Sequence, residues 1–214
     1  MAVEVFGQTV ENRIDSVAEL RAEVGSPSPA GANKVIDHVD DLARRFIAAA
    51  PLAILGTRRA DGTVDLTPRG DPPGFVQVLD PHTMAMPDRP GNNRMDGFSG
   101  ILETGAVSLL FMIPGHNDTL RVAGQAALVK DTALSGRMAV HGKPSGHCVL
   151  IRVERVMCHC PKAFVRGKVW RPEDWPDTSD VPTLAEMVKA HGDLTDPLAD
   201  LEHLVETSVR ETLY

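Results

Sequence analysis

The sequence predicts a mainly β protein with flanking helices, whose centre is a six- to seven-stranded antiparallel β-barrel. Short apolar or alternating runs, separated by turn residues, fill the region from Leu52 to Val156. Apolar residues at helical spacing occur before and after this region and, within it, after Met95. With 214 residues and 43% hydrophobic content, the chain can bury a substantial core. We expect an N-terminal helical segment at 1–50, a barrel at 51–175 and a C-terminal helical extension at 176–214 packed on the same domain.

The first fifty residues show the 3.6-residue period of helices. One helix is predicted from Val10 to Val24, closed by Gly25 as a C-cap. The linker SPSPAGAN at 26–33 follows, and Asn33 is then expected to cap a second helix that extends to about residue 50.

The barrel region alternates between strands and tight turns. Its first hairpin turns at 60–63 and its second at 80–82, and a single helix separates the fourth strand from the fifth. The predicted strands are Leu52–Thr57, Thr63–Thr67, Phe75–Leu79, Thr83–Met86, Ala106–Ile113, Thr119–Val129 and His147–Val156.

The turn before the barrel helix concentrates arginine and asparagine at 88–94, in the sequence DRPGNNR. Backbone N–H groups and the positive end of the helix dipole favour an anion at a helix start. The planar fork of an arginine matches phosphate oxygens. The turn therefore indicates a phosphate pocket, with a solvated and well-capped helix start as the alternative.

Arg69 ends the strand that precedes the second hairpin, in the sequence TPRGD. An arginine at a strand end is often an ordinary surface residue. In a small barrel, however, this strand end can approach the turn that contains Asn93 and Arg94. Two arginines from separate segments would then clamp one phosphate.

Composition excludes several other classes of function. The net charge of −7 and the scattered arginines argue against nucleic acid as a partner. No apolar run approaches the ~18 residues that a membrane helix needs, and the N-terminus lacks the order of a signal peptide. Three cysteines in such a chain are expected to be reduced thiols in the cytoplasm. No metal is expected at Cys158-His159-Cys160, because no second pair with zinc-like spacing follows.

Three separated motifs resemble one family. LTPRGDPPGF at 66–75, PDRPGNNR at 87–94 and HCPKA at 159–163 look like segments of pyridoxamine 5′-phosphate oxidase-like flavoproteins, over roughly residues 37–175. The resemblance implies the FMN-binding split barrel, that is, a split β-barrel that binds FMN at a homodimer interface.

The resemblance also implies cofactor contacts by matching position. Arg69 and Arg94 would bind the FMN phosphate, with Asn93 beside them. Three consecutive residues would pass along the flavin ring with their backbone, namely Met86, Pro87 and Asp88.

Further contacts are implied in the second half of the barrel. Thr119 falls where the family places a polar side chain near the ring. A late segment, which in many members reaches the flavin of the other subunit, contributes Lys162, Arg166 and Trp170. A solvated basic helix face is the alternative for this segment.

The function that follows is an FMN-dependent oxidoreductase that transfers hydride or electrons between FMN and a small molecule. The chain shows no segment like the C-terminal substrate-binding arginine and histidine of the vitamin B6 oxidase, so the substrate stays open. Two alternatives remain: a non-catalytic flavin- or haem-binding storage or sensor protein, and a deazaflavin-dependent reductase. No catalytic side chain is assigned, because the cofactor performs the redox step.

Overall fold

The computed structural model describes residues 2–214. The contacts divide the chain into one unit that ends at Val35 and a second unit, Ile36–Tyr214. The first unit consists of a hairpin and two short helices: β1 (Val3–Val5), β2 (Gln8–Val10), α1 (Val17–Val24) and α2 (Pro29–Ala32).

The helix predicted from Val10 is wrong in its first part, because Val10 lies in β2. Phe6 and Gly7 both have positive φ and form the two-residue turn of a hairpin. Helix α1 begins only at Val17, where the Ser16 hydroxyl accepts a hydrogen bond from the Glu19 N–H at 3.1 Å. The predicted C-cap is confirmed: Gly25 has φ 74°.

The second predicted helix also starts later than expected. Asn33 ends α2, and the next residues form the short strand β3 (Val35–Ile36). Helix α3 (Asp41–Ala49) begins after Asp40, whose carboxylate accepts from the Ala43 N–H at 2.8 Å. Asp40 is therefore the residue that caps this helix, and Ile47 on its inner face is buried in the core.

Seven strands of the second unit pair antiparallel in the order β5-β4-β8-β9-β10-β7-β6, and they belong to an eight-stranded sheet whose remaining strand is β3. The predicted strands are all present, with ends shifted by a few residues. Their bounds are β4 (Leu52–Arg58), β5 (Val64–Gly70), β6 (Gln77–Asp80), β7 (Thr83–Pro87), β8 (Ala106–Met112), β9 (Thr119–Val129) and β10 (Cys148–His159). The mainly antiparallel β architecture with flanking helices is confirmed.

Helix α4 (Asp96–Thr104) lies between β7 and β8 and packs on β4. A Cβ atom at Gly100 would lie 2.8 Å from the Thr57 hydroxyl oxygen, so only glycine permits this close approach. The core beneath it is apolar and includes Leu55, Leu109 and Phe111, all fully buried. This packing fixes the start of α4 relative to β5.

The remaining helices follow the sheet strands or end the chain. They are α5 (Thr132–Arg137), α6 (Lys162–Arg166), a 3₁₀ turn (Pro172–Asp174), α7 (Leu184–His191) and α8 (Leu198–Glu211). None of the helices in the described residues has the length and apolar character required to span a bilayer.

Candidate cofactor site

A cavity of about 560 Å³ lies between the end of β5 and the start of α4. Four segments surround it: the end of β5, the turn at 88–95, the first turn of α4 and the pair Leu213–Tyr214 after α8. Its volume falls within the range of small-molecule sites in proteins, about 300–1,000 Å³. Phe75 and Phe98 give it an apolar wall, while arginine and aspartate supply its polar groups.

Arg69 points into the cavity because residues alternate between the two faces of β5. Its Nε donates to the Thr67 hydroxyl at 2.9 Å, and its guanidinium lies 5.0 Å from the centre of the Phe98 ring. The side chain is only 21% exposed. Burial lowers the pKa of Arg69 and the carboxylate of Asp88 opposes this shift.

Asp88 faces Arg69 across the cavity. Arg69 Nη1 and Asp88 Oδ1 are 3.6 Å apart, which is too long for a hydrogen bond. Burial raises the pKa of Asp88, and the nearby charge of Arg69 partly reverses the shift. Because the two groups do not bond tightly, Arg69 keeps donors for another acceptor in the cavity.

The first turn of α4 also faces the cavity. No side chain caps this helix at Met95, so its first backbone N–H groups keep their capacity to bind an anion. A Cβ atom at Gly97 would lie 3.8 Å from Arg69 Nη2 and 3.3 Å from the Thr67 methyl group. The absence of a side chain at Gly97 therefore leaves the helix start open toward Arg69.

The turn before α4 holds two non-glycine residues in the left-handed region, Asn93 (φ 57°) and Met95 (φ 60°). Such residues are uncommon and concentrate at ligand sites, where the surrounding structure compensates their strain. Arg94 lies between them and lines the cavity, but its side chain is 72% exposed. Its Nε donates to Asp96 at 2.8 Å, so its charge is already paired at the cavity rim.

Of the residues predicted to contact the flavin ring, two line the cavity and one is buried in the core. Pro87 and Asp88 line the cavity, and the Asp88 N–H donates to the His147 carbonyl at 3.0 Å, which fixes the backbone there. Met86, by contrast, is fully buried and its side chain packs in the core.

The residues predicted from the second half of the barrel lie outside the cavity lining. Thr119 is buried at the start of β9, opposite His159. Trp170 donates from Nε1 to the His116 carbonyl at 2.9 Å and stacks on Phe164. Two exposed residues of α6 complete this group, Lys162 and Arg166.

Among the cavity residues to which the sequence assigned no role, three form a connected hydrogen-bond network: Asp71, Arg89 and Tyr214. The Asp71 carboxylate is 1% exposed and accepts from Arg89 Nε at 2.6 Å and from the Tyr214 hydroxyl at 3.0 Å. The Arg89 guanidinium also donates to the Met138 carbonyl at 2.6 Å. Burial, followed by the bond to Asp71, raises the pKa of Tyr214. Asp71 and Arg89 stand within the quoted motifs, but nothing local links them to Tyr214.

The three cysteines are free thiols, as predicted. Cys148 is buried and lies within 3.5 Å of the hydroxyls of Ser135 and Ser145, whereas Cys158 and Cys160 are exposed. Within residues 2–214, no three His, Cys, Asp or Glu side chains group as metal ligands.

The antiparallel sheet, with α4 inserted between β7 and β8, agrees with the split-barrel fold that the sequence predicts. Residues 39–160 match the sequence model of the family described as Pyridoxamine 5′-phosphate oxidase, which is more than half of the chain. The chain belongs to this family, and the resemblance seen in the three motifs is thereby confirmed.

Solved structures with a similar fold are distant in sequence. HupZ of Group A Streptococcus is 16% identical with a TM-score of 0.45, over 55% of this chain and 91% of that one. A protein of Clostridium acetobutylicum related to general stress protein 26 is 12% identical with a TM-score of 0.43, over 55% of this chain and 85% of that one. The FAD binding protein of Mycobacterium smegmatis is 16% identical with a TM-score of 0.40, over 58% of this chain and 97% of that one. No curated protein matches the chain significantly.

Proposed function

We propose that this protein binds FMN in the cavity beside α4 and acts as an oxidoreductase on a small molecule. The observation that carries the proposal is the position of Arg69. Its guanidinium is largely buried, stands beside an uncapped helix start, and is not tightly paired with Asp88. Family membership supports the same cofactor class.

The charges around the cavity favour Arg69 as the main phosphate ligand. Arg89 donates to the buried carboxylate of Asp71, and Arg94 donates to Asp96, which also accepts from Arg59. Among the three arginine–aspartate pairs that line the cavity, only Arg69 and Asp88 are separated by more than a hydrogen-bond distance, so a phosphate can compete for the donors of Arg69. The cavity-lining ionic residues are Arg69, Arg89, Arg94, Asp71, Asp88 and Asp96.

The remaining residues hold the cofactor in place. Asn93 and the first turn of α4 would donate to the phosphate, and Pro87 and Asp88 would place their backbone along the ring. Phe75 and Phe98 would exclude water from its apolar part. When bound, FMN supplies hydride transfer at its N5 atom, so the protein needs only to orient the ring and admit one substrate.

We extend the proposal to a homodimer with two equivalent sites. The inward residues of β8 are buried, but the outward ones, such as Leu110, are only half-covered. On the same outward face, Leu66 of β5 is 71% exposed. A second copy packed on this face would cover these side chains. The assigned cofactor contacts of the late segment, which lie outside this chain's cavity, would then serve the partner's flavin: Lys162, Arg166 and Trp170.

Sedimentation of the FMN-loaded protein tests the homodimer. A stable monomer that retains one FMN per chain would contradict it. A cytoplasmic location belongs to the same proposal and is supported by the three free thiols.

The test of the proposed function is the identity and redox behaviour of the bound chromophore. Purified protein should be yellow, and extraction should release a compound with the mass of FMN. Bleaching by NADH or NADPH, followed by recovery in air, would support an enzyme. A flavin that no reductant bleaches would favour a storage or sensor protein. An extracted deazaflavin or haem would contradict the assignment of FMN as the bound cofactor.

A further inference from the structure

The single tyrosine of this chain, Tyr214, reaches the cavity from the far end of the sequence. Its hydroxyl donates to Asp71 at 3.0 Å, and the Arg89 guanidinium lies 5.6 Å from the centre of its ring. The rings of His141 and Tyr214 are nearly perpendicular, with their centroids 5.5 Å apart, and Lys143 Nζ donates to the Tyr214 carbonyl at 3.0 Å. The hydroxyl, the ring and the carbonyl of Tyr214 thus contact different parts of the second unit.

The helix that leads to Tyr214 is held far less firmly. Helix α8 contains no buried residue, and Leu204 and Val209 on it are mostly exposed. Leu213, directly before the tyrosine, is also exposed although it lines the cavity. Segments with little buried apolar surface open locally at low free energy. Helix α8 packs on α7, and the contacts of Tyr214 are the anchor that holds the end of this segment at the cavity.

The anchor and the proposed phosphate turn share one network. Arg89 belongs to the turn that also contains Asn93 and Arg94, and it bonds the same carboxylate that Tyr214 bonds. The segment Leu213–Tyr214 forms one wall of the cavity. Release of the tyrosine would therefore remove a cavity wall and loosen the turn together.

We propose that Leu213–Tyr214 is a closing strap over the cofactor cavity, and that Tyr214 is the residue that fixes it and so limits cofactor release. The strap rests on the proposed function, because the ligand that it retains is FMN. It adds a determinant in a segment outside the matched residues 39–160. FMN can leave only when the strap moves away from the cavity. Tyr214 therefore controls the dissociation rate of FMN rather than the recognition of its phosphate.

The experiment measures FMN release by stopped-flow dilution from the loaded full-length protein. Tyr214→Ala should speed release by about tenfold or more, the effect of losing a charge-assisted hydrogen bond together with its ring contacts. Tyr214→Phe removes only the hydroxyl and should give a smaller increase; it also replaces Tyr214→Ala if that variant does not fold. Leu204→Ala, an exposed position on α8, is the matched control and should release FMN at the wild-type rate.

A second readout follows the strap itself. Because the chain has one tyrosine, incorporation of 3-fluorotyrosine gives a single fluorine resonance for Tyr214. Its chemical shift should differ between the folded and the denatured protein and should change when FMN binds. FMN binding with an unchanged release rate in both tyrosine variants would overturn the strap alone. Failure of the wild type to bind FMN would overturn the proposed function and the strap with it.

Discussion

Arg89→Ala should destabilise the fold strongly, because it leaves the buried carboxylate of Asp71 without its cationic partner. The Asp71 side chain is 1% exposed and that of Arg89 is 15% exposed, so the pair is shielded from water in the wild type. Arg89 also donates to the Met138 carbonyl, which would lose that donor. The hydroxyl of Tyr214 continues to bond Asp71 but adds no positive charge.

Loss of one partner of a buried ion pair costs about 3–5 kcal/mol of unfolding free energy. For a domain of this size, each kcal/mol lowers the melting temperature by about 2–4 °C, so the midpoint should fall by roughly 6–20 °C. Urea unfolding of the ligand-free protein measures the free energy directly, with an unchanged m-value as the sign that only stability has changed.

Arg94→Ala is the matched control, because it removes the same residue type from the same turn. Arg94 is 72% exposed and pairs with Asp96 at the surface, and such pairs contribute about 0–1 kcal/mol. If Arg89→Ala lost no more stability than Arg94→Ala, the Asp71–Arg89 pair would not be the structural element described here.

Three further predictions concern packing, pH and thiols. Gly100→Ala should lower the unfolding free energy by about 1–3 kcal/mol, because the added methyl group collides with Thr57. The second substitution Thr57→Ala should restore most of this loss. Equal stability of Gly100→Ala and the wild type would contradict the prediction. Burial raises the pKa of Asp88 above its ordinary 3.8, so its contribution to stability is largest at low pH and is lost as pH rises through that raised value. Asp88→Asn should therefore gain stability relative to the wild type as the pH rises from below 3.8 through the raised pKa of Asp88, whereas parallel pH curves would refute the assignment. Thiol titration should find two fast-reacting cysteines in the native protein and a third, Cys148, only after unfolding; fewer than three in denaturant would disprove the free thiols.

The sheet could be predicted because the alternation of apolar residues and the turn chemistry are local signals. The helix wrongly predicted to begin at Val10 also has a local explanation. Val10 fits both a helical period and the end of a hairpin, and the turn at Phe6–Gly7 selects the hairpin. Asn33 and Asp40 are both competent caps, but Val35 and Ile36 form the short strand β3, so the helix starts only after Asp40.

Within the candidate site, the sequence could predict those residues that lie in recognisable short motifs. Arg69 and the turn at 88–94 could be brought together by the order of the strands. Arg94 donates to Asp96, two residues later, and the motif alone does not reveal this pairing. The bond between Asp71 and Tyr214 joins residues 143 positions apart, and no local pattern encodes it.

The central claim is that Arg69 holds the phosphate of FMN, and parallel titrations with FMN and riboflavin test it most directly. Arg69→Gln should weaken FMN binding roughly tenfold to a hundredfold, since a charge-assisted bond contributes about 1.5–3 kcal/mol. Riboflavin, which has no phosphate, should bind this variant almost as well as the wild type. Arg58→Gln, at an exposed strand end outside the cavity, should change neither affinity. Full FMN affinity in Arg69→Gln, or equal losses for FMN and riboflavin, would contradict the account.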